Sequence, residues 1–340
     1  MKRIITSIVA VAATVGTLGQ TPNPVKLSDE NLKGNVFAVK YGKYEYKENF
    51  GEPTTGQVQE IHSTFYNETG NPVIFRTIRP ARPMFVNSSA LFYEPSDGNT
   101  LVTTLGISSS MKYEKYENVS STLLNDNDTF ENLMQNELGY GEKCSKQGRI
   151  ESTFDKNGVR IKYDVYIASG RLDGKEVGKP VGNGTYEFTI YDWQGESREK
   201  STRTFVNGKL TKKTSPNDGR INIGGRIGSP ESGTYTYDSN GRLTHLLRWN
   251  KHETKYIYND KGDLLHTSNK DFKIWSDGFF YENYKYDSHG NWIYRTWGPK
   301  AGKPEYIETR EIIYCDTKDE LKEKAGHLLQ TVGDIIKAKQ

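Results

Sequence analysis

The sequence lacks the short motifs that mark most catalytic and metal-binding sites. Its six histidines show no zinc-ligand spacing, and it contains no HExxH, CxxC or GxSxG motif. A glycine-rich stretch at residues 224–228 has neither the residue order of a dinucleotide-binding loop nor the Lys-Ser/Thr ending of a P-loop. We therefore predict no metal ion, no cofactor and no catalytic residue. A carboxylate pair for glycoside hydrolysis stays open, because such residues come from distant positions and the chain has 43 acidic residues.

Long apolar runs are also absent beyond the N-terminus. Lys2 and Arg3 precede a mostly apolar run at residues 4–15, and small residues then stand before Gln20. This pattern predicts a signal peptide over residues 1–19. The run is too short to span a bilayer and no second run follows, so we expect no transmembrane segment in the mature chain. The expected location is periplasmic, cell-surface or secreted.

The composition excludes one class of partner and favours strands. The formal charge is +3, and it falls to +1 once Lys2 and Arg3 are removed. A charge so close to zero gives no electrostatic basis for binding nucleic acid. Tyrosine reaches 22 residues while methionine and cysteine are scarce, which is typical of strand-rich chains. The two cysteines, Cys144 and Cys315, either form a disulfide after export or stay separate thiols.

What the chain does contain is a repeated five-residue pattern: an aromatic residue, Asp or Asn, two free positions and Gly. It occurs six times, more often than composition alone gives. An aromatic residue suits a strand end, an Asp or Asn side chain accepts hydrogen bonds within a turn, and Gly tolerates positive φ. The pattern therefore predicts strand-turn-strand units. The predicted turn glycines are Gly70, Gly158, Gly195, Gly241, Gly262 and Gly290.

The distribution of these units predicts the organisation of the chain. After the signal peptide we expect a β-rich region with an irregular polar insert, a Gly/Pro linker or loop, a repeat-bearing meander and an amphipathic helix. Their respective bounds are residues 20–214, 215–232, 233–316 and 317–340. A capping box at residues 317–320 and apolar residues at helical spacing support the helix. The expected fold class is mainly β: an antiparallel β-meander with a C-terminal α-helix packed on the sheet.

Two of the repeats resemble a known family. The segments YDSNGRL at residues 237–243 and YDSHGNW at residues 286–292 resemble the YD repeats of the RHS family. Residues 32–36 and 66–72 are similar to small exported YD-repeat proteins of Bacteroides-type bacteria. The resemblance covers residues 233–314 well and residues 31–80 and 150–210 in part. It implies a bacterial envelope or secreted protein on a β-rich repeat scaffold, a class linked to carbohydrate binding or to toxin shells.

The aromatic residues are the best candidates for a binding surface. Tyrosines two positions apart, such as Tyr256 and Tyr258, project from one face of a sheet. If that face is open, its rings can stack against sugars; if it is covered, they form the core. Trp275 and Trp297 stand in or beside predicted loops, which favours exposure. The candidate ligand-binding residues are Trp275, Trp297, Trp292, Tyr294, Tyr237, Tyr258 and Tyr286.

These observations predict an exported, non-enzymatic module of the cell envelope that binds a glycan or an envelope protein, or has a structural role. One alternative is an envelope carbohydrate hydrolase with a carboxylate pair about 5–10 Å apart. Another is an assembly or adhesion protein that pairs through the exposed edge strands of an open meander.

Overall fold

Eighteen strands and one helix make up the part of the chain that the structure describes. The computed structural model describes residues 30–79, 84–112, 149–167, 169–215, 232–248, 252–269 and 278–338. The strands are β1 (Val36–Asn49), β2 (Glu52–Tyr66), β3 (Pro72–Arg79), β4 (Met84–Ser96), β5 (Asn99–Lys112), β6 (Arg149–Phe154), β7 (Arg160–Tyr166), β8 (Leu172–Gly182), β9 (Thr185–Asp192), β10 (Ser197–Val206), β11 (Lys209–Thr214), β12 (Gly233–Tyr237), β13 (Leu243–Arg248), β14 (Glu253–Tyr258), β15 (Leu264–Asn269), β16 (Phe279–Tyr286), β17 (Trp292–Gly298) and β18 (Tyr306–Tyr314); the helix is α1 (Lys318–Ala338). The predicted signal peptide, most of the predicted linker, Cys144 and Trp275 lie outside the described residues.

The strands form one antiparallel sheet that closes on itself. Each strand pairs with the next one along the chain, and β1 also pairs with β18, from Val36 opposite Tyr314 to Glu45 opposite Tyr306. The architecture is a closed 18-stranded antiparallel barrel, so the prediction of an open β-meander is wrong. In an open meander β1 and β18 would be unpaired edge strands; in the closed barrel they are hydrogen-bonded to each other. Assembly through the edge strands of an open meander therefore loses its structural basis.

The repeated pattern forms tight turns between strands. All six glycines have positive φ, from 74° at Gly70 and Gly241 to 91° at Gly262. In each copy the Asp or Asn Oδ1 accepts a hydrogen bond from the backbone amide four residues later, at 2.9–3.0 Å. The side chain thus satisfies a backbone donor that the turn would otherwise leave without a partner.

Five of the six turns lie at one end of the barrel. We call this the repeat end: the end at which an even-numbered strand leads into the next odd-numbered strand. This position in the strand order is shared by the turns that contain Gly70, Gly158, Gly241, Gly262 and Gly290. The turn that contains Gly195 joins β9 to β10 and therefore lies at the opposite end.

The two faces of the barrel wall differ in burial and in polarity. Along β10, the buried residues Glu199, Ser201, Arg203 and Phe205 alternate with exposed or half-buried neighbours such as Lys200. Because alternate side chains point to opposite faces, the buried set points into the barrel. A continuous aromatic and aliphatic cluster follows this interior face from β9 to β17.

The interior also contains charged groups, and these are paired. Glu176 contacts both Arg160 and Arg203, and Lys213 lies 3.3 Å from Glu199. A second group joins Arg295 of β17 to Glu308 of β18. A buried charge is tolerated when it is paired and hydrogen-bonded, so the core depends on these pairs as well as on its apolar residues.

The helix α1 packs on the outer face of the barrel. The backbone amide of Glu320 donates to Thr317 Oγ1 at 3.1 Å, which caps the first turn. Leu328 packs against a cluster that includes Ala38, Phe65 and Ile74, on the face opposite the interior tyrosines. The helix therefore covers apolar residues of β1–β4 that would otherwise face water.

Candidate functional site

Most of the aromatic residues predicted to bind a ligand belong to the interior of the barrel. Tyr237 and Tyr258 pack against the buried interior cluster. The ring of Trp292 contacts two guanidinium groups, with its centroid 4.2 Å from that of Arg295 and 3.9 Å from that of Arg310. The ring itself is 3% exposed, so it offers no surface on which a ligand could stack. Tyr237, Tyr258 and Trp292 therefore belong to the covered face rather than to an open platform.

Trp297 occupies a different position from the loop-side position that the sequence predicted. It lies within β17, is 4% exposed, and stacks on Tyr306 with ring centroids 4.5 Å apart. Gly298 and the proline after it led to the prediction of a loop at this point. In the structure Trp297 points to the interior side, as Arg295 does, whereas Tyr294 and Thr296 point to the opposite side. The predicted exposure of Trp297 is therefore wrong.

Tyr294 does lie on the outer face. The Lys285 ammonium lies 4.9 Å from the centroid of its ring, and Tyr294 is half-buried. Trp275 lies outside the described residues. Of the predicted set, Tyr294 is thus the described residue whose ring faces outward from a strand.

In two consecutive repeats the aromatic residue links its hairpin to the one before it. The hydroxyl of Tyr237 donates to the carbonyl of Leu210 at 2.9 Å, and that of Tyr258 donates to the carbonyl of Leu243 at 2.8 Å. Cationic side chains of the preceding turn also lie over these rings. The Arg242 guanidinium is 4.8 Å from the ring centroid of Tyr258, and the Lys261 ammonium is 3.5 Å from that of Tyr286. These contacts give the repeat aromatics a structural role at the repeat end.

We expect a class of tyrosines that resists ionisation while the barrel stays folded. Burial raises the pKa of Tyr237, Tyr258 and Tyr286 to about 12, compared with about 10 in an unfolded chain. Since the folded pKa is raised, the stability that these groups contribute is complete below pH about 10 and is lost as the pH rises through about 12. The ultraviolet absorbance of tyrosinate, followed during an alkaline titration, measures this directly.

The control for that titration is the same protein in denaturant, in which all 22 tyrosines should ionise together. If all of them also ionise near pH 10 in the folded protein, the strand tyrosines are not covered.

An open groove crosses the outer wall over β8–β11. Its volume is about 650 Å³, within the range of roughly 300–1,000 Å³ that small-ligand sites occupy. Three rows of opposed residues cross this part of the wall: Lys175–Tyr191–Ser197, Val177–Thr189–Lys200 and Lys179–Glu187–Thr202. Thr214 of β11 extends the third row, opposite Thr202. We call this surface the β8–β11 groove.

The chemistry of the β8–β11 groove suits binding better than hydrolysis. Tyr191 supplies an aromatic ring, and threonine and serine hydroxyls stand in each of the three rows or beside them. Glu187 carries the single carboxylate among the described lining residues. Glycoside hydrolysis needs two carboxylates, so the described lining does not provide that machinery. The residues that the structure describes also hold no group of three or more potential metal ligands.

An exposed tryptophan stands in the turn next to the groove. Trp193 is 54% exposed, and the Arg171 guanidinium lies 5.1 Å from its ring centroid. The sequence contains a signal for this residue, although Trp193 is not among the predicted ligand-binding residues. At the first free position of the repeat the other copies have Glu68, Lys156, Ser239, Asp260 and Ser288. Only this copy places a large apolar ring where the turn itself requires none.

Cys315 lies just before α1 and is buried. Burial raises the pKa of its thiol. Its partner in the predicted disulfide, Cys144, is outside the described residues, so the pairing stays a prediction.

No helix among the described residues combines the length and the apolar content needed to cross a bilayer.

Comparisons with known proteins provide no family assignment. No family model and no curated protein matches the chain. Among solved structures, a porin-like protein from Bacteroides uniformis is 11% identical, with a TM-score of 0.23, and the match covers 82% of this chain and 98% of that one. A Photorhabdus luminescens Tc holotoxin pore is 12% identical, with a TM-score of 0.21, and the match covers 82% of this chain but 14% of that one. The TcdB2-TccC3-TEV structure is 11% identical, with a TM-score of 0.21 and coverages of 85% and 15%. TM-scores this low do not support a shared fold, so the account of this chain rests on its own residues and geometry.

Proposed function

We propose that this chain is an exported, non-enzymatic carbohydrate-binding protein of the bacterial envelope. In this proposal the closed barrel is a rigid scaffold, and the β8–β11 groove is the binding site. The observation that carries the proposal is the composition of the groove: a tyrosine ring, several hydroxyls and long polar side chains in an open cleft of about 650 Å³. Sugars are bound by this combination, because a ring packs on the apolar face of a pyranose while polar groups bond its hydroxyls.

The expected location rests on the N-terminal sequence and on the outer wall. Residues 1–19 have the pattern of a signal peptide. The outward positions of β8–β10 carry Lys179, Glu187, Lys200 and Thr202, which suit contact with water. A lipid-facing wall needs a continuous outward apolar band. This part of the wall therefore suits an aqueous part of the envelope, a location that also fits the resemblance of the repeats to exported YD-repeat proteins.

A glycan array with the mature chain tests the proposal. The matched variants are Tyr191→Ala in the groove and Tyr294→Ala on the outer face of β17. Both residues are half-buried outer-wall tyrosines with a lysine ammonium over the ring, at 5.2 Å and 4.9 Å respectively. We expect saccharide binding by the wild type and by Tyr294→Ala, and loss of binding in Tyr191→Ala.

Three results would contradict the proposal: no saccharide bound by the wild type, equal binding by both variants, or turnover of the bound saccharide. Capture of a protein ligand through the groove, without any glycan, would instead support the protein-binding alternative.

A further inference from the structure

Positive charge is concentrated at the β8–β11 groove. Lys179 and Lys200 line it, Lys175 stands at its side opposite Tyr191, and Glu187 is the one acidic residue among the described lining residues. Three ammonium groups against one carboxylate give this surface a net positive charge, on a chain whose formal charge is only +3. Clefts lined by one sign of charge raise the local concentration of oppositely charged ligands.

The groove lysines differ from other lysines on the outer wall in their partners. Lys162 lies 2.7 Å from Asp164, and Lys255 lies 3.2 Å from Glu253. Within the described residues, Lys200 forms no ion pair; it lies opposite Thr189 rather than opposite an acid. Its charge is therefore available to a ligand.

Lys175 and Lys179 add to this available charge. Lys179 stands opposite Glu187 in the register, yet the two form no ion pair among the described contacts. The ammonium of Lys175 lies over the Tyr191 ring, 5.2 Å from its centroid, instead of against a carboxylate. None of the three groove lysines is thus neutralised by a direct partner in the part of the chain that the structure describes.

We propose that the β8–β11 groove binds an acidic saccharide, with the sugar ring stacked on Tyr191 and its anionic group bound by Lys200. This inference rests on the proposed function and names the ligand class of the same site. Lys200 lies on the strand next to that of Tyr191, in the adjacent row of the register, so the two are diagonal neighbours. Long side chains at diagonal positions can reach each other. An ammonium group recognises a carboxylate or a sulfate as a compact point charge. Uronic-acid and sulfated saccharides share that chemistry.

Calorimetric titrations with three probes test the inference: an oligogalacturonate, a sulfated oligosaccharide and a neutral oligosaccharide of the same length. We expect the wild type to bind at least one acidic probe more tightly than the neutral one, by about tenfold or more, as a charge-assisted contact predicts. Added salt should weaken only the acidic interaction, because it screens exposed charges. The better of the two acidic probes identifies which anion the groove prefers.

Three variants separate the possible outcomes. Lys200→Met should remove the preference for the acidic probe, so that the ratio of acidic to neutral affinity in this variant falls to about one. Tyr191→Ala should weaken the binding of every probe. The control is Lys285→Met, which removes a lysine of β16 outside the groove, where its ammonium lies over the Tyr294 ring. All three variants should keep the wild-type melting temperature.

Failure of this inference is distinguishable from failure of the proposed function. Equal affinity for acidic and neutral probes, with both lost in Tyr191→Ala, overturns the acidic preference but supports carbohydrate binding in the groove. Acidic binding that Lys200→Met leaves unchanged also overturns the inference. Absence of binding to all three probes overturns both.

Discussion

Replacing Glu308 with alanine is expected to lower the free energy of unfolding by about 3–5 kcal/mol. Its carboxylate lies 2.5 Å from the Arg295 guanidinium, and their side chains are 2% and 1% exposed. The variant leaves a buried guanidinium without its counter-charge, which costs far more than the pair itself contributes. The midpoint of urea denaturation measures the change.

The matched control is Glu311→Ala on the same strand. Glu311 points outward, is 56% exposed, and pairs with Lys40 at 3.8 Å. An exposed pair of this kind contributes about 0–1 kcal/mol, so the control should unfold almost as the wild type does. The double variant Arg295→Met/Glu308→Leu should recover much of the loss, because it removes both charges together. Equal losses in Glu308→Ala and Glu311→Ala would show that Glu308 is not in a closed interior.

Replacing Gly184 with alanine is expected to destabilise the barrel by about 2–5 kcal/mol, from a strained backbone and a steric collision together. Gly184 has φ +69° in the turn between β8 and β9, and an added Cβ would stand 2.4 Å from the carbonyl oxygen of Phe205. That oxygen belongs to the backbone of β10 and cannot move aside independently. The Gly184 carbonyl also accepts a hydrogen bond from the Phe205 amide at 2.8 Å, so the turn is held against β10.

Gly195→Ala separates the two contributions. Gly195 has φ +82°, and an added Cβ would have no heavy atom within 4 Å. Its replacement should therefore cost only the backbone strain, about 1–3 kcal/mol. Thermal or chemical denaturation of the two variants gives the difference. If Gly195→Ala is as damaging as Gly184→Ala, the close approach of the turn to β10 is contradicted.

The local structure of the chain could be predicted because its signals are local. An aromatic residue, an acceptor side chain and a glycine within five positions specify a turn without any tertiary contact. One related turn departs from the sequence pattern: Tyr166, Ile167 and Gly170 keep the backbone hydrogen bonds of the repeat, with Gly170 at φ 83°. Isoleucine replaces the Asp or Asn there, so this turn lies outside the five-residue pattern.

Closure of the sheet could not be predicted, because no local signal carries it. β1 and β18 lie at opposite ends of the sequence, and their pairing depends on complementary edges that meet only after the whole sheet has formed. The strand tyrosines illustrate the same limit. Alternation placed Tyr256 and Tyr258 correctly on one face, but only closure decides whether that face is covered.

The groove could not be predicted either, because its residues come from four strands. Lysine and threonine at outward positions, such as Lys200 and Thr202, look like an ordinary solvated face in the sequence. Only the register places them in rows beside Tyr191. Trp193 is the one feature that comparison of the repeat copies alone could have found.

A disulfide engineered between the first and last strands tests the closed barrel most directly. Lys40 and Glu311 are opposed in the β1–β18 register, at a spacing that a disulfide can bridge. The control pair is Lys40 and Ser63 in the β1–β2 hairpin, which are opposed whether the sheet is open or closed. Both double-cysteine variants are made with Cys144→Ser and Cys315→Ala and analysed by mass spectrometry of the oxidised protein.

We expect both pairs to form an intramolecular disulfide in the folded protein, without loss of thermal stability. Formation of the Lys40→Cys/Ser63→Cys disulfide alone, with free thiols in Lys40→Cys/Glu311→Cys, would contradict the closed barrel and with it the assignment of the tyrosine face to an interior.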